Sequence, residues 1–199
     1  KCGDWKAVQK KFIPTNYDLE LQNTNSLLNA RTFLDATVFV SAPMKNVEYI
    51  INRYLKHPTY SYKVHAVAKR GATVGLLVTR IITVNGIQII RVIDYQGEFD
   101  HFSQLNQPLK KLLHETKAEY IDFMQYGMPR DILKNAGFVD IYSISNMVVP
   151  NYFEPFLHDN VVIDCAYKIK NKGQPFFICK GDSDQDRPNE VRALSSEAR

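Results

Sequence analysis

Three side chains that can accept a proton lie close together around the end of one apolar segment. Asp94 ends the segment that begins at Ile87, and Glu98 and His101 follow four and seven residues later. Carboxylates and imidazoles are common general bases, so Asp94, Glu98 and His101 are candidate catalytic residues. Each also has a structural interpretation, in which Asp94 caps a loop, Glu98 is solvated and His101 lies in the first turn of a helix.

A second chemical pattern is the segment 151–156, which contains three aromatic rings, an amide and a carboxylate. Aromatic rings stack on the apolar face of a sugar, and polar groups beside them bond to its hydroxyls. Asn151, Tyr152 and Glu154 are therefore candidate substrate-binding residues. The structural alternative is a loop that only covers the sheet.

Composition argues against several classes of protein. The net charge is +4, and the basic residues are spread along the chain, whereas nucleic-acid-binding proteins carry a denser basic face. No apolar run approaches the roughly 20 residues of a membrane span. Three cysteines without metal spacing indicate a reduced, cytoplasmic compartment. The Asp182-x-Asp184-x-Asp186 run lacks the glycine and glutamate of a calcium loop, so we predict no metal site.

Hydrophobic periodicity predicts one domain over residues 17–180, with an extension over 1–16 and a polar tail over 181–199. Apolar residues after Pro43 recur at helical spacing as far as Leu55, and His57-Pro58 ends that helix. Arg70-Gly71 and Asn85-Gly86 predict two tight turns between strands. The predicted strands cover 17–22, 38–40, 61–69, 74–82, 87–94, 120–124, 139–149, 161–168 and 175–179, and the other predicted helices cover 26–36, 105–119 and 129–136.

This order of elements, with Ala136-Gly137-Phe138 where the last helix ends, resembles the acetyl-coenzyme A core of the GNAT acyltransferases. The resemblance implies an α+β fold with a central mixed sheet of six or seven strands and helices on both faces. It also implies that the strand near Ile90 runs parallel to the strand near Ile121. Because a parallel pair needs a crossover, the helix over 105–119 is expected to connect them.

Several segments more narrowly resemble the GNAT-like proteins of bacterial surface-polysaccharide gene clusters. Those proteins are usually longer, so the resemblance implies an N-terminal half before Lys1. The segments are Asn52-Arg53-Tyr54-Leu55-Lys56-His57-Pro58, Val92-Ile93-Asp94-Tyr95-Gln96-Gly97, Glu119-Tyr120-Ile121-Asp122-Phe123, Pro150-Asn151-Tyr152-Phe153-Glu154-Pro155-Phe156 and Lys180-Gly181-Asp182-Ser183-Asp184-Gln185-Asp186-Arg187-Pro188-Asn189.

The resemblance implies acetyl-coenzyme A or another acyl-coenzyme A as cofactor. GNAT enzymes hold its pyrophosphate on a glycine-rich loop after the fourth strand, where a strand amide also polarises the thioester. Here Gln96 and Gly97 fit the start of that loop, but Phe99 and His101 replace its glycines. Glu98 and Asp100 add negative charge beside the expected anion. The implied cofactor-binding residues are Ile93, Gln96, Gly97 and Phe99.

A further departure lies in the short helix before Gly137. Many GNAT enzymes place a tyrosine four residues before this glycine, where it protonates the leaving thiolate. This chain has Leu133 there, and Tyr126 is the candidate that replaces it as catalytic acid.

Three functions remain open at this point. The first is an acyl-coenzyme A-dependent N- or O-acyltransferase acting on a sugar or nucleotide-sugar in surface-glycan biosynthesis. The second is a non-catalytic binding or scaffold domain, half of a tandem GNAT protein or one subunit of a homodimer. The third is a Fem-like aminoacyl transferase. A cleft between the fourth and fifth strands favours an enzyme, and a closed sheet favours the scaffold.

Overall fold

The structure is a computed structural model that describes residues 18–23, 43–84, 86–149, 160, 162–170, 173, 175–183 and 186. Several predictions lie outside these residues. They concern the extension over 1–16, the helix over 26–36, the strand over 38–40 and the candidate sugar-binding residues Asn151, Tyr152 and Glu154. Every helix in the described ranges is too short or too polar to cross a bilayer.

The fold is α+β and is built on a mixed five-stranded sheet. Its strands follow chain order as neighbours, and all pairs are antiparallel except the last. Ile90 pairs with Ile121 in parallel, and a helix connects these strands, which confirms that prediction. The prediction of six or seven strands goes beyond the five of this sheet. The strands are β1 (Leu19–Asn23), β2 (Lys63–Lys69), β3 (Ala72–Val84), β4 (Ile87–Gly97) and β5 (Ile121–Phe123).

Two tight turns set the register of the central strands. Lys69 pairs with Ala72, so the turn between β2 and β3 contains only Arg70 and Gly71, whose φ angles are +50° and +82°. Val84 pairs with Ile87, and Gly86 between them has a φ of +80°. Two-residue hairpins need such positive angles, which is why both dipeptides predicted their turns correctly.

One apolar cluster joins the sheet to the first described helix, α1 (Val47–Ile50), which continues as a π-helical turn over Ile51–Leu55. The Asn46 side chain caps α1 by accepting a hydrogen bond from the Tyr49 N–H at 2.8 Å. The helix begins four residues after Pro43 and ends before His57, whose ring accepts two backbone N–H groups. The cluster contains Ile50, Ile51, Tyr54, Tyr62, Val64, Leu76, Val78 and Ile93.

A second apolar cluster joins the sheet to three further helices. These are α2 (Phe99–Ser103), α3 (Asn106–Thr116), which is the crossover helix, and α4 (Arg130–Asn135). Gly137 has a φ of +96° directly after α4, as the prediction required of the residue that stops this helix. The cluster contains Leu19, Val67, Leu77, Val92, Tyr95, Phe102, Leu105, Leu109, Met128, Ala136, Phe177 and Cys179.

The predictions for residues 139–179 are mostly wrong. The expected strand over 139–149 is a 3-10 turn at Ile141–Ser143 followed by irregular chain, and residues 162–168 also form no strand. Asp140 and Asn160 explain part of this, since their side chains bond to nearby backbone groups that a strand would need. β7 (Ile178–Cys179) pairs instead with β6 (Gln125–Tyr126).

The polar segment after Cys179 begins inside the fold and not as a mobile tail. A 3-10 turn covers Lys180–Asp182, in which Lys180 and Gly181 are buried. Asp186 is buried as well. Charge composition predicted a solvated tail from residue 181, and that prediction is wrong for these residues because their carboxylates meet buried cationic partners.

Candidate functional site

A β-bulge near the end of β4 lies beside a group of buried polar side chains. Val78 pairs with Asp94 and Thr79 with Val92, so Ile93 is an extra residue in β4. A bulge of this kind re-aims the neighbouring side chains. Ile93 belongs to the cluster that contains Tyr54, and the Asp94 carboxylate accepts a hydrogen bond from the Tyr54 hydroxyl at 2.6 Å.

Asp94 is the centre of a buried ionic network. The Lys45 Nζ donates to both Asp94 oxygens, at 2.6 and 2.7 Å, and to Asp182 Oδ2 at 2.9 Å. The Gln96 amide donates to Asp94 Oδ1 at 3.1 Å. Both Asp94 oxygens are therefore engaged, so in this arrangement neither is open to accept a proton from a ligand.

The pKa of Lys45 favours a charged ammonium between the Asp94 and Asp182 carboxylates. Burial alone would lower the pKa of Lys45, but Asp94 and Asp182 raise it above its ordinary value. Burial and the neighbouring Asp94 raise the pKa of Asp182, and the same two causes raise the pKa of the Tyr54 hydroxyl. Asp94, Cys179 and Asp182 place three possible metal ligands within 4.8 Å of one another, where Lys45 already supplies positive charge.

The C-terminal segment Phe177–Asp182 fills the space beside the end of β4. Pairing between β4 and β5 ends at Val92 and Phe123. A Cβ atom on Gly181 would lie 3.0 Å from the Ile93 carbonyl oxygen and would also meet the Tyr54 hydroxyl, so glycine alone fits there. Burial raises the pKa of the Cys179 thiol, although the nearby Tyr95 backbone acts to lower it. The strands thus separate, but the chain itself occupies the gap between them.

The structure brings together two of the three candidate bases. Glu98 precedes α2 and is exposed, and the His101 Nδ1 lies 4.0 Å from its Oε2. This Nδ1 is buried and has no hydrogen-bond partner among the described residues. Asp94 forms no hydrogen bond or ion pair with either of them among the described residues, since its carboxylate is bonded to Lys45, Tyr54 and Gln96.

The candidate cofactor-binding residues are tightly packed. Ile93 and Gln96 are buried, and the Gln96 Oε1 has no hydrogen-bond partner in the described part of the chain. Gly97 has a φ of +146°, and a Cβ there would lie 2.8 Å from the Tyr95 hydroxyl oxygen. Phe99 packs edge-on against Phe177 at 5.4 Å between ring centres. The loop after β4 is thus filled by its own side chains.

The candidate acid Tyr126 lies on the surface. Its side chain is 48% exposed, and its hydroxyl oxygen lies 3.2 Å from that of Tyr167. Leu133, which replaces the expected tyrosine, packs against the second apolar cluster.

A second polar cluster surrounds Asp186 and was missed at the sequence level. Arg80 donates to Asp186 at 2.8 Å, the Tyr62 hydroxyl also donates to it, and Arg53 lies 3.7 Å away. The Tyr60 ring lies 3.8 Å above the Arg80 guanidinium. The only sequence feature that pointed to this cluster was the Asp182-x-Asp184-x-Asp186 run. We compared that run with a calcium loop and assigned it no site.

Comparisons of this chain with protein-family models, with curated proteins and with solved structures give no match.

Proposed function

We propose that this chain is a GNAT-like binding or scaffold domain that does not itself transfer an acyl group. The observation that carries this proposal is the position of Phe177–Asp182 beside β4. An acyl-coenzyme A arm would have to enter where Gly181 lies against Ile93 and the Tyr54 hydroxyl. In this proposal the chain itself fills the space through which a thioester would reach the amides of β4.

The GNAT-like architecture is itself part of the proposal. The parallel pair of β4 and β5 and the crossover by α3 support it. β6 begins two residues after β5 ends and pairs with β7. In this proposal β7 is therefore the sixth strand of the central sheet. The two separate apolar clusters, which use alternating residues such as Leu76 and Leu77, support helices on both faces of the sheet.

The setting follows from the resemblance to proteins of surface-polysaccharide gene clusters. We propose a cytoplasmic role in surface-glycan biosynthesis, with a sugar or nucleotide-sugar as the bound molecule. In this role a second GNAT-like half or another copy of the chain supplies the chemistry. The packed loop over Gln96–Phe99 supports a domain that no longer binds pyrophosphate, since the Tyr95 hydroxyl lies beside Gly97 and the Phe177 ring lies against Phe99.

An acyl-coenzyme A-dependent acyltransferase is the second candidate, and one observation favours it. The His101 Nδ1 is buried without a hydrogen-bond partner among the described residues, and Glu98 lies beside it. An unsatisfied imidazole nitrogen at the end of β4 is suited to accept a proton from an acceptor amine or hydroxyl. In this function Phe177–Asp182 must move away from β4 before the cofactor binds.

One experiment separates the two candidates. Acetyl-coenzyme A at millimolar concentration should leave the melting temperature unchanged, and thioester cleavage should stay at the uncatalysed rate. A ligand at a hundred times its Kd would add about 2.7 kcal/mol to the free energy of unfolding, which is easily detected. A saturable shift together with turnover would contradict the scaffold proposal. His101→Gln should then lower turnover by about two to four decades, with exposed His114→Gln as the control.

A further inference from the structure

Four basic side chains from four different elements come together beside the described ionic network. They are Arg53 of the π-helical turn, Arg80 of β3, Arg91 of β4 and Lys180 of the 3-10 turn, which we call the basic cluster. Arg80 and Arg91 are register partners on neighbouring strands. Lys180 interacts electrostatically with both of them.

Two carboxylates, Asp186 and Asp122, pair with arginines of the basic cluster. Asp186 accepts from Arg80 at 2.8 Å and lies 3.7 Å from Arg53. Asp122 is held by the Arg91 Nε at 2.9 and 3.0 Å. Among the described residues, the Arg53 and Arg80 guanidinium groups thus share the single carboxylate of Asp186. Burial first, and then Arg91, lower the pKa of Lys180 to about 8, although Asp122 and Asp186 act to raise it.

Arg80 also has one N–H donor that forms no hydrogen bond with any described residue. Its Nε is buried and has no hydrogen-bond partner among them. The Tyr60 ring covers its guanidinium at 3.8 Å, and His57 stacks on Tyr60 with ring centres 5.3 Å apart. The guanidinium is therefore held in a fixed plane, which is how arginine is presented to tetrahedral oxyanions.

We propose that the basic cluster binds a phosphate-type oxyanion carried by a small ligand, with Arg80 and Arg53 as its direct contacts. Both side chains are partly accessible, at 14% and 23% exposed, so an anion can reach them from solvent. Two guanidinium groups that share one carboxylate in this partly buried place supply the attraction. This site differs from the loop over Gln96–Phe99, so it stands whether or not the domain is a scaffold.

Two ligand sources share this chemistry, namely inorganic phosphate or pyrophosphate and a nucleoside diphosphate. The test compares sodium pyrophosphate and uridine diphosphate with sodium chloride at equal ionic strength, by melting temperature and by titration calorimetry on the full chain. We expect a saturable rise in melting temperature with pyrophosphate and none with chloride. Tighter binding of uridine diphosphate would identify a nucleotide ligand, and equal binding would identify the free anion. Both results support the site.

The variants decide whether the basic cluster is responsible. Arg80→Met should abolish pyrophosphate binding, and Arg53→Gln, a milder change at a partly exposed residue, should weaken it at least tenfold. Arg70→Met is the matched control, because Arg70 is 80% exposed and pairs only with exposed Asp18 among the described residues. If pyrophosphate acts no differently from chloride, or if Arg53→Gln binds it as the wild type does, the proposal is overturned. Neither result bears on acetyl-coenzyme A binding.

Discussion

Lys45 lies between two buried carboxylates, and its removal would take a cationic partner from both of them. Its side chain is 2% exposed, and it is bonded to Asp94 and Asp182. Breaking a buried ion pair from one side costs far more than the pair contributes as a whole, because the remaining charge has no partner. Here two carboxylates would remain together.

We therefore predict that Lys45→Met lowers the free energy of unfolding by about 3 to 5 kcal/mol. Urea unfolding followed by circular dichroism measures this loss. Lys111→Met is the control, since the exposed Lys111 lies 3.9 Å from Glu115 on a helix surface and such pairs contribute about 0.5 kcal/mol or less. A loss below about 1 kcal/mol for Lys45→Met would show that the network is not buried as described.

Sequence alone proposed Asp94 but not its partners, and the reason is physical. Lys45 is 49 residues from Asp94 and 137 from Asp182, and neither distance follows any local period. Charge composition treats Lys45 and Asp182 as solvated, because most such residues are exposed. His57 was interpreted correctly as part of a helix end, since its ring accepts two local backbone N–H groups.

At the scale of elements, β1 to β5 and the turns between β2, β3 and β4 were predictable, and the described segments after residue 138 were not. Strand alternation and the Arg70-Gly71 and Asn85-Gly86 turns are local signals, and the structure follows them. The segment over 139–149 is equally rich in apolar residues, but side-chain bonds from Asp140 and Asn160 divert its backbone. β7 then pairs with β6, which is a long-range choice that no local pattern encodes.

The segment Phe177–Asp182 provides the element-scale prediction. Gly181→Ala should lower the free energy of unfolding by about 1 to 3 kcal/mol, because the added methyl group meets the Ile93 carbonyl and the Tyr54 hydroxyl. Chemical denaturation of both proteins measures the difference. Gly71→Ala serves for comparison, since it has open space but a φ of +82° and so reports backbone strain alone. Wild-type stability for Gly181→Ala would mean that the segment does not lie against β4.

At the scale of the whole molecule, stability should depend on pH through His65. This residue is 5% exposed, and its ring nitrogen lies 3.0 Å from the Thr79 hydroxyl. Burial, with a smaller effect of Lys63, lowers its pKa to about 4. As the pH falls from about 6.5 to about 4, His65 binds a proton in the unfolded chain but not in the folded protein. The free energy of unfolding therefore decreases over this pH range.

We predict that His65 removes on the order of 3 kcal/mol from the free energy of unfolding as the pH falls through this window. The measurement is urea unfolding at several pH values for the wild type and for His65→Gln. The difference between their curves isolates this residue from the other titrating groups. His114→Gln, at an exposed position, should leave the slope unchanged. Parallel curves for wild type and His65→Gln would refute the prediction.

The separation of 137 positions between Lys45 and Asp182 also matters while the chain is being made. A ribosome adds roughly 5 to 20 residues per second, so Asp182 is synthesised roughly 7 to 27 s after Lys45. During that interval the nascent domain has an open strand edge at Tyr95 and an incomplete charge network at Asp94. The last step of folding therefore follows the synthesis of Phe177–Asp182, and chaperones that shield open edges have that interval in which to act.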